Sequence, residues 1–137
     1  MATDDDGAVC VTDLKTALLA AETAWRMGYP LLLISETDAG IHTGGGWWRA
    51  LTGQVQEAFP DLKLTALLDC GDLPGAALGA IRAGCEDLIV ASASPALLAF
   101  AKARDVRLHD PPTRVLTLGR LNNRTGHVIE RFLAGNF

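Results

Sequence analysis

Hydrophobic positions along this chain switch repeatedly between two spacings. Leu14, Leu18, Ala21 and Trp25 recur at intervals of three and four, with Lys15, Glu22 and Arg26 off the stripe; this is one face of an amphipathic helix. Thr12 is placed to cap it and Gly28 to stop it. After Pro30, Leu31–Ile34 is apolar throughout, as in a strand buried on both faces of a parallel sheet. The unit then repeats. Trp48, Leu51, Val55 and Phe59 form a second stripe closed by Pro60, and Leu64–Leu68 a second strand. Pro74 opens a third helix carrying Leu78, Ile81 and Cys85, which ends at Gly84 before Leu88–Val90. Ser94-Pro95 is a cap followed by a first-turn proline, and it starts a helix with Leu97, Leu98 and Ala101. Val106–Leu108 alternates as an edge strand does.

This rhythm predicts parallel strands near 31–35, 64–69, 87–91 and 106–109 joined by right-handed crossovers. The fold class expected is α/β: an open, mostly parallel sheet of 4–6 strands with helices on both faces. A half (β/α) barrel is the alternative, since so few strands cannot close the eight-stranded form. Ala8–Val11 reads as a short first strand, and residues 1–112 as the body. Beyond Pro111-Pro112, residues 113–137 read as an appendage of the same domain, a strand (Val115–Leu118) plus a short helix. That helix has an apolar stripe of Val128, Ile129, Phe132 and Leu133. The appendage carries four arginines against the single Glu130, a charge of +3. With an acidic body to attract it, the stripe points to a homodimer with the appendage in the interface.

Composition narrows the class. At 137 residues there is room for one domain with a sizeable core. The 49% apolar and 20% charged content excludes a disordered chain. A net charge of −4 argues against non-specific nucleic-acid binding, and no apolar run approaches a membrane span. Asp4, Asp5 and Asp6 stand where a secretory signal would be basic. Cys10, Cys70 and Cys85 are odd in number with no CxxC pair, which fits reduced thiols in a cytoplasmic protein.

Ligands of parallel α/β sheets bind beyond the carboxyl ends of the strands. That rule selects Ser35–Asp38, Asp69–Asp72, Ser92–Ser94 and His109-Asp110. Glu36, Asp69, Cys70, Asp72 and His109 are the candidate catalytic groups, although Asp72 and Ser94 are equally placed to be helix caps. Asp38, His42, Gly44, Gly45, Gly46 and Ser92 are the candidate ligand contacts. The segment Ser35–Gly46 is long for a βα connection and is expected to be irregular, mobile and one wall of the main pocket. Gly44–Gly46 before a helix would bring backbone N–H groups to an anion, but neither GxxxxGK[ST] nor GxGxxG is present. Glu36, Asp38, His42 and His109 lack metal-ligand spacing, so no metal is expected. No cofactor is indicated. Of the tryptophans, Trp25 and Trp48 are expected in the core and Trp47 exposed, at a pocket mouth or an interface.

The stretch Ala80–Val106 (A-I-R-A-G-C-E-D-L-I-V-A-S-A-S-P-A-L-L-A-F-A-K-A-R-D-V) resembles one βα unit of the 2-keto-3-deoxy-6-phosphogluconate aldolases. The resemblance covers about a fifth of the chain and implies a barrel-like βα arrangement. Those enzymes form a Schiff base on a strand-end lysine. Lys15, Lys63 and Lys102 do not match that position, so no catalytic residue is carried over. Two readings follow: a domain binding a small anionic metabolite at the carboxyl edge of the sheet, or a non-catalytic oligomerisation or partner-binding module.

Overall fold

A computed structural model describes residues 7–135. In chain order the elements are β1 (Ala8–Cys10), α1 (Leu14–Met27), β2 (Leu31–Ile34), α2 (Ala39–His42), α3 (Gly45–Ala58), β3 (Leu64–Asp69), α4 (Pro74–Arg82), β4 (Asp87–Ile89), α5 (Pro95–Ala103), β5 (Arg107–His109), β6 (Val115–Thr117) and α6 (Thr125–Leu133). The strands form one sheet in the order β5-β4-β3-β2-β1-β6, and every pair is parallel. The fold is therefore the expected α/β class with an open parallel sheet. Among the described residues no helix is long and apolar enough to cross a membrane.

From β1 to β5 each crossover steps one strand in the same direction. The helices follow in the same sequence: α6 touches α1, α1 touches α3, α3 touches α4, and α4 touches α5. Side-by-side contact places these five in one layer. Val9, Leu31, Leu33, Leu68 and Leu88 face that layer and form the main core with Trp48, Val55 and the alanines of α1. The other sheet face carries a second buried cluster of Ala8, Cys10, Leu32, Ile34, Leu67 and Ile89.

Chain length shows how that second cluster is buried. The six Cα steps from His109 to Val115 reach at most about 22 Å. Laid flat, the five interstrand gaps between β5 and β6 total about 24 Å. Register adds to this, because it sets Val115 four residues below His109, or about 13 Å along the strands. A flat sheet cannot be connected this way, so it curls with the helices outside. The curl, rather than a second helical layer, closes the concave face over its own apolar side chains. It takes the open sheet toward the half barrel.

Several local expectations are corrected. The cap of α1 is Asp13, whose carboxylate accepts from the Thr16 N–H at 2.8 Å while the Thr16 hydroxyl closes a capping box; Thr12 is exposed. The buried face of α1 is made of Thr16, Ala17, Ala20, Ala21, Thr23 and Ala24. Small residues let the helix sit close to the sheet, and this rotates Trp25 outward to 54% exposure, where its ring meets Phe59 at 5.9 Å. Trp48 is in the core as expected. Trp47 is half-buried against the Trp48 ring, at 5.6 Å, not exposed. The stripe of α6 is covered within the chain: Ile129 and Phe132 are buried as α6 packs on α1, and Arg26 pairs with Glu130 at 3.0 Å. The helix layer has room beside α1, so this stripe does not call for a second subunit.

Candidate functional site

The carboxyl edge of β2 and β3 is tightly built. Ser35 Oγ accepts from the Asp69 N–H at 3.0 Å and donates to the Glu36 carbonyl at 3.0 Å, tying the two strand ends together. Asp69 Oδ1 accepts from the Gly71 N–H at 2.8 Å. Gly71 has φ +58°, and the Asp38 carboxylate occupies the place its Cβ would need. Asp38 is itself left-handed, with φ +61°, and leads into α2. The segment Ser35–Gly46 is thus not wholly irregular, because it holds the short helix α2. Gly40 lies against Cys70, where a Cβ would sit 2.8 Å from Sγ.

The glycines divide by role. Gly44, with φ +92°, precedes α3 without a side-chain cap. Gly45 is buried where a Cβ would lie 2.5 Å from Ala80 Cα, so it permits the α3–α4 contact. Gly46 faces open space. The remaining candidates are spread along the edge. Glu36, His42, Asp72 and Ser92 are exposed. Asp72 does not cap α4, whose N-cap is Leu73 without a side-chain bond, whereas Ser94 caps α5 by accepting from the Leu97 N–H at 3.1 Å.

Cys70 is fully buried, and burial pushes its thiol up to about 12, with Cys85 and Asp69 adding to the effect. Burial likewise raises Cys85 to about 11 and Cys10 above its ordinary value. A thiol held neutral in this way is a poor nucleophile. All three cysteines are free. No group of three or more His, Cys, Asp or Glu among the described residues is placed to hold a metal.

His109 does not join the carboxyl-edge residues. Its Nε2 lies 2.7 Å from Oδ1 of Asp87, a buried carboxylate on the concave face that also takes Arg107 through Nε at 2.7 Å and Nη2 at 2.9 Å. That bidentate pair raises the Arg107 pKa, chiefly through its hydrogen bond to Asp87. The sequence reading passed over Asp87 and Arg107. The signal was their register, since Asp87 and Arg107 are direct partners across β4 and β5. A cavity of about 290 Å³ opens beside them at the amino-terminal ends of β3, β4 and β5, and its wall includes Trp48, Arg49, Thr52 and Gln56 from one flank of α3.

No protein-family model matches the chain, and no curated protein matches it.

Proposed function

We propose that the chain is a non-catalytic, self-associating module in which the α5–β5 face is covered by the same face of a second copy. The observation that carries this reading is the composition of α5. Leu97 and Ala101 point into the core, while Ala96, Leu98, Ala99 and Ala103 lie on the exposed side, Leu98 at 50% exposure. Apart from Lys102 the exposed side of α5 is apolar, and a helix with so little polar surface is normally covered on more than one side. The side-by-side helix series ends at α5, and an open groove of about 560 Å³ runs between α5 and β5, past Leu98, Lys102, Val106 and Leu108. A two-fold axis pairs a face with itself, so one such surface suffices, and alanines at 96, 99 and 103 allow two helices to approach closely.

The carboxyl edge supports the metabolite reading less well. Asp69 accepts from the Gly71 N–H and the Asp38 carboxylate lies against Gly71, and with Glu36 and Asp72 they make an edge that would repel an anion. Light scattering tests the module reading. The expected mass is twice the 14.5 kDa of the chain, falling to one chain in Leu98→Asp with an unchanged circular dichroism spectrum. A wild-type monomer at high micromolar concentration, or a Leu98→Asp dimer, would overturn it.

A further inference from the structure

Among the described residues β5 is a terminal strand of the sheet and pairs only with β4. The Arg107 N–H donates to the Glu86 carbonyl at 2.8 Å. Successive residues of a strand turn their backbone groups to opposite sides, so Arg107 and His109 face β4 while the N–H and carbonyl of Leu108 point away from the sheet. They open toward the groove between α5 and β5, which Leu108 lines together with Leu98 and Lys102. An unpaired edge of this kind is a template for a further strand, and charged side chains are one device that blunts it. Here the arginine of the strand is set aside. Arg107 lies on the concave face and is bound to Asp87 through two nitrogens, at 2.7 and 2.9 Å. The Leu108 side chain packs on the helix side, as its register partner Leu88 does.

Helix spacing decides whether two such edges can meet. A two-fold axis through Leu108, perpendicular to the sheet, runs two β5 strands antiparallel and lets Leu108 exchange both backbone bonds with its counterpart. The same axis keeps the helix layers of both copies on one side. α5 is the crossover from β4 to β5, so it stands over the gap between them, about 2.4 Å in from β5 at a strand spacing of about 4.8 Å. Two joined edges therefore set the α5 axes about 10 Å apart, which is the separation of packed helices. A helix placed further out would hold the strands apart. Leu98 and Leu108 line the same groove, so an axis through Leu108 also brings Leu98 against its counterpart in the second copy.

We infer that two copies join through their β5 edges, antiparallel about Leu108, into one continuous sheet; this rests on the self-association proposed above and specifies its geometry. Amide hydrogen exchange, read by nuclear magnetic resonance, tests it at single residues. In the wild-type dimer the Leu108 N–H should exchange more slowly than in Leu98→Asp by about fivefold or more, the worth of one net hydrogen bond. The His109 N–H faces β4 in either state and should change far less. Leu108→Cys gives a second readout, because the three native thiols are buried. Residues paired in this way stand about 5.5 Å apart at Cα, within disulfide range. Mild oxidation should therefore give a covalent dimer that a reducing agent reverses, and Leu98→Asp in the same chain should abolish it. Fast Leu108 exchange in a protein that is still a dimer by light scattering, or no cross-link in that dimer, would overturn the strand pairing and leave the α5 contact standing. A wild-type monomer would overturn both.

Discussion

Cys70 and Asp87 show how burial sets the chemistry of single groups in this chain. Between Asp69 and Asp72 in sequence, Cys70 has the neighbours of a reactive thiol, yet it is sealed beneath Gly40 and kept protonated. Its raised pKa links stability to pH. The folded state retains the proton up to about 12, whereas the unfolded thiol releases it near 9. The stabilising contribution is therefore complete below about pH 9 and is lost as pH rises toward 12. Urea unfolding midpoints should fall across that window, and Cys70→Ala should flatten the decline while lowering stability at neutral pH through the cavity it leaves. At pH 8 the native protein should resist alkylation at Cys70 and Cys85 until denaturant is added. Asp87 has the opposite character: it is a buried carboxylate whose oxygens are taken up by the Arg107 guanidinium and the His109 ring, and nothing in its local sequence, Glu-Asp-Leu-Ile-Val, distinguishes it from a polar strand start.

At the scale of elements, apolar spacing located the body well, because buried strands and amphipathic helices each impose a period. Leu31–Ile34, Leu64–Asp69 and Asp87–Ile89 lie where the runs predicted strands. What spacing could not settle was which side of a helix packs deepest. In α1 the leucines and Trp25 outline a stripe, but the alanines and threonines beside them reach the sheet, since close approach favours small side chains over large ones. The start of α1 has the same lesson. Thr12 and Asp13 are both good caps in isolation, and Thr16, three residues after Asp13, completes the box that decides between them. Asp13→Ala should cost about 1 kcal/mol in urea unfolding, and Thr12→Ala should cost little. The carboxylate bonds from Thr16 also hold the Asp13 pKa below its usual range. This part of the stability is present at neutral pH and lost as pH falls through the lowered value, so the Asp13→Ala penalty should shrink in acid.

At the scale of the whole molecule, neither the curl nor the cavity could be read from local pattern, because both depend on which strand lies beside which. The short link from β5 to β6 was visible, but its meaning changed once β6 proved to pair with β1. A five-residue link between opposite edges then becomes a measure of curvature. It also accounts for the small apolar cluster on the concave face, which stays dry without a helix over it. The candidate site was less legible than the fold for the same reason. Trp48 and Arg49 meet the starts of β3 and β4 only through the packing of α3, at the end opposite to the one strand topology favours. Curvature has a direct readout. Asp110 and Thr117 are both exposed, and the native thiols are buried, so cysteines at these two sites can be spin-labelled selectively. In a flat sheet their Cα atoms would stand about 26 Å apart; the reach of residues 109–115 holds the curled sheet to about 20 Å or less. A short distance by pulsed electron resonance that persists in the Leu98→Asp background is the expected result. Because Leu98→Asp separates any paired copies, the distance would then belong to the single chain. A separation near 26 Å would mean that the strand order or the register is wrong, since a chain connected this way cannot lie flat.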